Sequence, residues 1–352
     1  MKYMPILVFS VLSSPAWTFH IYYLNMNYRI LGKTGYKVSE IGYGAWSLGA
    51  DWGDVSEEQA LSTLGSLPKA GITFIDTADV YGDGRSEKII SQFLDTAKER
   101  FIVATKAGRR LNPHIVSGYT KKNLTTFVER SITNLKTECL DLLQLHCPPT
   151  QIYYMPEVFS VLDGLVREGK IKYYGVSVEK VEEAMKAIEF PNVSTVQIIF
   201  NIFRQRPMEL FFREAQRRNI GVIVRVPLAS GLLTGKFNSD SFFAKNDHRT
   251  YNRKGESFDV GETFSGVDFE TGLKAVGELK KIIPEGFTMP QFALKWILMQ
   301  PAVSTVIAGG KTPEQVLENC KASKLPNINT KILKNIETIY NSFIKPQVHY
   351  RW

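Results

Sequence analysis

The sequence predicts an α/β protein with a single domain, a (β/α)8 barrel of the TIM-barrel class. From residue 26 onward, short apolar runs typical of buried strands alternate with amphipathic segments typical of helices. Eight such units fit into roughly 250 to 320 residues, which is the usual size of this barrel. No linker rich in Pro, Gly or Ser divides the 352 residues, so we expect one domain.

Eight apolar runs are the candidate strands: Ile41–Ala45, Thr73–Thr77, Ile102–Thr105, Asp141–Leu145, Tyr173–Ser177, Thr195–Phe200, Gly221–Arg225 and Thr305–Ala308. Helix signals lie between them. Ser56 and Gln59 form a capping-box pattern, and Gly71 is a stop signal for the helix that follows. Thr312 and Pro313 open another helix as cap and first residue.

The barrel domain is predicted to span 26–323, followed by a C-terminal helix and tail over 324–352. Residues 1–25 resemble a weak export signal, but Pro5 and Pro15 interrupt its apolar stretch. We therefore favour an upstream extension or a misassigned start over secretion. No other segment approaches transmembrane length.

Charge and cysteine content exclude several classes of function. The net charge of +8 favours anions, but no long Lys/Arg run interleaves with aromatic residues as in nucleic-acid binders. Three cysteines without CxxC spacing argue against a disulfide framework and for a reducing, cytoplasmic location. The five histidines include no pair at HExxH spacing, so we expect no metal.

The stretch Phe237–Gly266 is long, polar and without clear periodicity. Loops of this length inside compact domains are usually functional covers or disordered segments. Because it follows the seventh predicted strand directly, we expect a cover over the active face.

Four residues of catalytic type fall where apolar runs end: Asp76, Tyr81, Lys106 and His146. The carboxyl ends of barrel strands are the edge where α/β proteins place their chemistry. A single buried Asp or His at such a place is more often a hydrogen-bonded structural group. Four of them in successive units indicate an active site.

Two glycine-containing segments predict anion binding. The sequence ASGLLTGK ends at Lys236 and lacks the residues that a nucleotide hydrolase needs, but its backbone N–H groups could cradle a diphosphate. Gly309 and Lys311 precede the helix capped by Thr312, where N–H groups and the helix dipole favour an anion. The alternative is an ordinary capped helix with a surface lysine. A dinucleotide-binding Rossmann fold is disfavoured, because GYGAWSLG has the wrong glycine spacing.

In this order, DTADVYGDGRSE, ATKAG, LQLHCP, YGVS, PLASGLLTGK and VIAGGKTPEQVLEN resemble the aldo-keto reductases, in the bacterial and archaeal branch related to general-stress reductases. The resemblance covers about 26 to 323. It implies an NADPH-dependent reductase of aldehyde or ketone carbonyls, an alcohol dehydrogenase or carbonyl reductase in type. Tyr81 would be the proton donor, Lys106 and Asp76 its charge partners, and His146 the group that orients the carbonyl.

The resemblance also implies a set of cofactor contacts. The nicotinamide carboxamide would be held by Ser177 and Gln197. The diphosphate would be lined by Pro227, Leu228, Ser230, Gly231 and Lys236. The adenosine 2'-phosphate and adenine would be held by Gly309, Lys311, Thr312, Gln315, Glu318 and Asn319.

Two positions depart from the family pattern. Val178 stands where many relatives have Asn, so one carboxamide hydrogen bond is lost or supplied elsewhere. Arg225 replaces a Tyr that often stacks on nicotinamide, and a planar guanidinium can stack similarly. We further expect Lys106 to lower the pKa of Tyr81, because an ammonium about 4 Å away would favour phenolate by roughly 4 kcal/mol.

Trp46 and Trp52, together with Tyr153 and Tyr154, are candidates for an aromatic substrate pocket, with ordinary packing as the alternative for each. The sequence leaves the substrate and the oligomeric state open, although a monomer is common among relatives.

Two other functions compete with the reductase. Some proteins of this fold are cofactor-sensing regulatory subunits of channels with little turnover. A barrel isomerase or hydrolase shares the fold, but the paired carboxylates or metal ligands that it needs are missing from the sequence pattern. Retention of all four catalytic residue types favours the enzyme.

Overall fold

A computed structural model of the protein describes residues 26–49 and 55–352. Eight parallel strands close into a barrel, which confirms the predicted fold. The strands of the molecule, in chain order, are β1 Tyr28–Ile30, β2 Lys37–Ser39, β3 Ile41–Gly44, β4 Phe74–Asp76, β5 Ile102–Ala107, β6 Leu140–His146, β7 Ile171–Ser177, β8 Val193–Ile199, β9 Gly221–Arg225 and β10 Val303–Gly309. The barrel runs from β3 to β10, and β10 pairs with β3 to close it.

The helices lie mostly outside the barrel and pack their apolar faces on it. They are α1 Glu57–Gly65, α2 Leu67–Ala70, α3 Arg85–Leu94, α4 Lys121–Leu135, α5 Pro156–Arg167, α6 Val181–Ala187, α7 Phe211–Arg217, α8 His248–Tyr251, α9 Phe269–Lys280, α10 Met289–Leu298, α11 Pro313–Cys320, α12 Thr330–Ile339 and α13 Lys345–Val348. Within the described residues, no helix is both long and apolar enough to cross a membrane. The signal-like segment 1–25 lies outside the described residues.

All eight predicted strands form, each within a few residues of its expected bounds. The antiparallel hairpin of β1 and β2 was not predicted. It closes the amino end of the barrel, where Leu31 and Val38 pack against interior residues such as Phe74 and Leu142. Gly32 has a φ of +49°, and a Cβ there would lie 2.0 Å from the backbone nitrogen of Gly221. The hairpin can therefore approach the barrel this closely only with glycine at that position.

Both predicted N-caps are confirmed, but the Gln59 side chain donates to the Lys311 carbonyl oxygen at 2.9 Å and does not complete the expected capping box, and one helix is divided. Ser56 accepts a hydrogen bond from the Gln59 N–H, and Thr312 caps α11. The segment expected to run unbroken to Gly71 is interrupted at Ser66. Pro68 explains the break, because its missing N–H and its ring are incompatible with the interior of one continuous helix.

The long segment Phe237–Gly266 contains α8 and two 3-10 turns, Val260–Glu262 and Phe264–Gly266. It lies against the carboxyl end of the barrel, where Phe258 and His248 contact Trp46. It occupies the position expected of a cover.

Candidate active site

Three of the four predicted catalytic side chains come from neighbouring strands: Asp76 ends β4, Lys106 lies in β5 and His146 ends β6. The Lys106 Nζ lies 2.5 Å from Asp76 Oδ1 and donates to the carbonyl oxygen of Thr77 at 2.8 Å. Burial lowers the pKa of Lys106, and Asp76 acts in the opposite direction. Because both side chains are almost fully buried, each charge depends on the other for compensation.

The second oxygen of Asp76 is held by two amides. Gln197 donates to Asp76 Oδ2 at 2.7 Å, and Gln144 donates to the same oxygen at 3.0 Å. Ser177 lies beside Gln197, with its Oγ 3.4 Å from Gln197 Oε1. Ser177 and Gln197 are thus brought together, but the amide nitrogen of Gln197 is directed at Asp76. The carboxylate is fixed in orientation on both oxygens.

Tyr81 lies in the turn between β4 and α3 and is half-buried. Its ring centroid lies 5.2 Å from Lys106 Nζ and 6.0 Å, edge-on, from the ring of His146. Burial raises the pKa of Tyr81 well above its usual value, and Asp76 and Glu262 add to that rise. The expectation of a lowered pKa is wrong, because burial of the phenol and the negative charges of Asp76 and Glu262 outweigh the nearby positive charges. The phenol therefore carries its proton at neutral pH.

His146 is buried near the positive charges of Arg109 and Lys106. Burial lowers its pKa well below the usual value, and Arg109 and Lys106 act in the same direction. Its Nδ1 has no hydrogen-bond partner within 26–49 and 55–352. The imidazole is therefore neutral at physiological pH and keeps hydrogen-bonding capacity for another molecule.

A buried cluster of two arginines and two glutamates lies beside these residues. Glu262 from the cover contacts Arg109 at 2.7 Å and Arg225 at 3.5 Å. Glu179 contacts Arg225 at 2.8 Å and Arg109 at 3.4 Å. Arg225 also donates to the carbonyl oxygen of Val178 at 3.0 Å. Arg225, which is predicted to stack on nicotinamide, is thus held by ion pairs. Its bond to the Val178 carbonyl oxygen also fixes the backbone at Val178, the position where many relatives have Asn.

The two glutamates of this cluster differ in their titration. Burial raises the pKa of Glu179, with Glu262 adding to the rise and Arg225 opposing it. Burial opposes ionisation of Glu262 as well, but Arg109 and Arg225 hold its pKa well below the usual range. The Cys147 Sγ and the two carboxylates lie within 4.8 Å of one another. Because both carboxylates are already bonded to guanidinium groups, this cluster fits an ion-pair network better than a cation site.

The turn after β9 has an unusual backbone. Val226, Ala229, Ser230 and Gly231 all have positive φ, between 48° and 98°. Positive φ is strained for Val226, whose side chain is branched at Cβ. Consecutive left-handed residues direct N–H groups to one side and form a concave anion site. Pro227 and Leu228 lie within the same turn.

Ser230 and Lys236 differ in what they contact. The Ser230 hydroxyl donates to the carbonyl oxygen of Glu262 and accepts from the Phe264 N–H, both at 3.0 Å. The Ser230 hydroxyl therefore holds the cover. Within the turn, the Ala229 and Gly231 N–H groups donate to the carbonyl oxygens of Val226 and Leu228 at 3.1 and 2.9 Å. Lys236 is exposed at the end of the turn.

The turn after β10, where an anion site is predicted, consists of backbone and a helix cap. Gly309 ends β10, and the Lys311 N–H donates to Gln315 Oε1 at 2.9 Å. Thr312 Oγ1 accepts from the Gln315 N–H at 3.4 Å. Lys311 thus lies at the amino end of α11, as predicted.

Glu318 and Asn319 make contacts within the protein instead. Gln291 donates to Glu318 Oε1 at 2.6 Å, and Lys321 pairs with Glu318 Oε2 at 2.7 Å. Asn319 donates to the carbonyl oxygen of Gly309 at 3.1 Å. These bonds fix α11 on the barrel, so an adenine contact would have to be made alongside them.

The aromatic candidates fall into different environments. Trp46 stacks on Tyr81 with centroids 6.1 Å apart and lies 4.8 Å from His248. Tyr153 is buried, with its hydroxyl 3.3 Å from the Ser177 carbonyl oxygen, whereas Tyr154 is 63% exposed. Trp52 lies outside the described residues. Of these candidates, Trp46 is the one that contacts Tyr81, and its role in substrate binding stays a prediction.

Sequence reasoning missed Gln144, Arg109, Glu179 and Glu262. Gln144 alternates with His146 in LDLLQLH, so a period of two already indicated that both face the interior. Arg109 and Glu179 each follow a strand end by a few residues, a weaker signal. Glu262 lies in the aperiodic cover, where no local pattern reports its partners.

The sequence profile of the "Aldo/keto reductase family" matches residues 40–341. The chain belongs to the aldo-keto reductase family. An aldo-keto reductase of Bacillus subtilis is 29% identical over 329 residues, which are 92% of this chain and 96% of that protein. An Arabidopsis thaliana protein described as a "Probable voltage-gated potassium channel subunit beta" is 30% identical over 346 residues, 93% of this chain and all of that one.

A solved structure of an aldo-keto reductase from Klebsiella pneumoniae in complex with NADPH has a TM-score of 0.65 and 21% identity. The matched region is 90% of this chain and 96% of the Klebsiella pneumoniae chain. That likeness shows the same fold. Family membership makes this aldo-keto reductase an oxidoreductase.

Proposed function

We propose that this aldo-keto reductase transfers a hydride from NADPH to the carbonyl carbon of an aldehyde or ketone, with Tyr81 as the proton donor. One observation carries the proposal. A protonated phenol and a neutral imidazole lie edge to face, with ring centroids 6.0 Å apart, beside a buried lysine–aspartate pair at the carboxyl end of the barrel.

The residues present fit a dinucleotide phosphate. The positive-φ turn at 229–231 and the exposed Lys236 that follows it would border a diphosphate without a metal. Lys311 and the amino end of α11 offer a full charge and capping N–H groups to a further phosphate, which favours NADPH over NADH. Ser177 and Gln197 would hold the carboxamide, and Arg225 would border the nicotinamide. When bound, the cofactor supplies the hydride.

The side chains then have distinct roles in the reduction. His146, being neutral, donates a hydrogen bond to the carbonyl oxygen and limits its orientation. Tyr81 gives its hydroxyl proton to that oxygen as the carbon receives the hydride, so the product is an alcohol and Tyr81 is left as phenolate. Lys106, whose Nζ lies 5.2 Å from the Tyr81 ring centroid, offsets part of the negative charge left on the phenolate. Asp76 keeps Lys106 charged and fixed.

The test separates proton donation from binding. Purified protein is mixed with NADPH and an aromatic aldehyde, and NADPH oxidation is followed beside Tyr81→Phe. We expect the variant to lose about 10²–10⁴-fold in turnover while its NADPH affinity, measured by fluorescence, is unchanged. Undiminished turnover in Tyr81→Phe would remove Tyr81 from the mechanism.

A second function has one specific observation in its favour, the 30% identity to the Arabidopsis thaliana protein. A cofactor-sensing regulatory subunit would bind NADPH with little turnover on any carbonyl compound. A panel of aldehydes, ketones and sugars assayed with NADPH distinguishes the two, because tight binding without oxidation throughout the panel favours the regulatory role. A cytoplasmic location and a monomeric state stay predictions.

A further inference from the structure

Residues 259–266 of the cover, here termed the clamp segment, contact the active face on one side. Glu262 lies between Arg109 and Arg225. The Ser230 hydroxyl binds the Glu262 carbonyl oxygen and the Phe264 N–H. The clamp segment therefore determines whether Glu262 reaches the catalytic residues.

On its other side the clamp segment rests on Trp352, which is 3% exposed. The indole Nε1 donates to Asp259 Oδ1 at 2.8 Å. The ring lies so close to Gly266 and Gly261 that a Cβ would come within 2.4 Å and 2.9 Å of it, respectively. Trp352 is thus fitted to the clamp segment by a hydrogen bond and by two glycines that leave room for the ring.

Arg204 connects the two sides. Its guanidinium lies 4.2 Å from the centroid of the Trp352 ring, a cation–π distance. It also donates to the carbonyl oxygens of Ser265 and Glu179, each at 3.4 Å. The indole, the clamp segment and the ion-pair cluster are therefore one contiguous set of contacts.

We propose that Trp352 is a positioning residue of the active site, which holds the clamp segment on the barrel and thereby keeps Glu262 between Arg109 and Arg225. The proposal concerns the protein without cofactor as well as with it. Only its catalytic readout rests on the proposed function.

Loss of the indole has a consequence for Tyr81. The charged and titratable groups facing Tyr81 are Asp76 on β4, Lys106 on β5, His146 on β6, Arg109 after β5, Arg225 on β9 and Glu262 on the clamp segment. Glu262 raises the pKa of Tyr81, while Arg109 and Arg225 lower it. When Glu262 moves away, one of the contributions that raise the pKa of Tyr81 is lost while Arg109 and Arg225 remain, so Tyr81 loses its proton at a lower pH. The alkaline limb of carbonyl reduction should move to lower pH.

The first measurement is hydrogen exchange of the cofactor-free protein, followed by mass spectrometry, for Trp352→Ala, Trp352→Phe and Tyr350→Ala. Tyr350 is 76% exposed two residues away and is the matched control. We expect exchange in 259–266 to rise roughly tenfold or more in Trp352→Ala and less in Trp352→Phe, which keeps the ring but loses the donor. Exchange in β3 to β6 and in Tyr350→Ala should stay at the wild-type level.

The second measurement is the pH profile of turnover with NADPH and an aromatic aldehyde. Trp352→Ala and Glu262→Gln should move the alkaline limb in the same direction, and the double variant should move it no further than Glu262→Gln alone. Wild-type protection of 259–266 in Trp352→Ala, or an equal loss of protection over the whole barrel, would overturn the proposal. If the wild-type protein shows no turnover, the proposed function fails while the exchange result still decides the role of Trp352.

Discussion

The two ends of the same barrel strands are built on opposite principles. On β4, Phe74 and Asp76 both face the interior, yet Phe74 belongs to the apolar floor with Leu31 and Val38, and Asp76 to the active site. On β6, Leu142 lies in that floor and His146 at the other end. The floor contains apolar side chains, which burial stabilises, whereas the carboxyl end contains charged groups, which burial destabilises.

The difference teaches where stability and function are located. At the floor, apolar side chains such as Leu31, Phe74 and Leu142 are stabilised by packing against one another. At the carboxyl end, Lys106 and Glu262 need opposite charges, Val226 is strained, and His146 Nδ1 lacks a partner within 26–49 and 55–352. Such unfavourable features persist where the surrounding fold imposes them and a reaction needs them.

Lys106→Met should have the largest effect, because it damages both chemistry and stability at the active end. We expect turnover to fall about 10²–10⁴-fold. We also expect the free energy of unfolding to fall by about 3–5 kcal/mol, since Asp76 is left as an unpaired buried charge. Turnover assays and urea unfolding measure the two. The double variant Lys106→Met/Asp76→Asn should regain part of the stability and none of the activity. If it is no more stable than Lys106→Met, the unpaired charge of Asp76 is not the cause of the loss.

Phe74→Ala tests the floor alone. Truncating this fully buried side chain should lower the free energy of unfolding by about 3–5 kcal/mol, through lost burial and a residual cavity. Turnover per folded molecule should change little. Phe242→Ala is the control, because Phe242 is 86% exposed. A large loss of turnover in folded Phe74→Ala protein would show that the two ends are coupled.

Asp79→Asn probes a buried carboxyl of the active end whose two oxygens have no hydrogen-bond partner within the described part of the chain. Burial raises the pKa of Asp79 to about 7, and Glu87 adds to the rise. The ionised form is therefore disfavoured in the folded state, so wild-type stability is fully present below about pH 4 and declines as the pH rises through 7. This loss is at most roughly 4 kcal/mol.

Unfolding measured in urea at pH 5 and pH 8 checks the sign. The wild-type protein should lose more stability between these two values than Asp79→Asn does. The exposed Asp95→Asn should follow the wild type. If wild type and Asp79→Asn lose the same stability between pH 5 and pH 8, the pKa of Asp79 is not raised. In that case Arg110 and Arg130, which lower this pKa, offset the effect of burial.

Lys311→Ala should have the smallest effect, since it removes one charge from the proposed phosphate site and leaves the amino end of α11 in place. The affinity for NADPH should fall by about 1.5–3 kcal/mol, the usual contribution of a hydrogen bond to a charged group, while NADH binding changes little. Fluorescence titration with both cofactors measures this, with the exposed Lys331→Ala as control. Equal weakening of NADPH and NADH would show that Lys311 does not contact the 2'-phosphate.

The sequence by itself determined the barrel, its eight strands and the four side chains at their carboxyl ends, because alternating apolar runs and helix caps are local properties. It could not indicate that β1 and β2 form the floor, that Gln197 turns its amide to Asp76, or that burial and Asp76 raise the pKa of Tyr81. It gave no sign of Glu262 between two arginines or of Trp352 behind it. These contacts join residues far apart in the chain, and their energies depend on burial and distance, which only the closed tertiary structure defines.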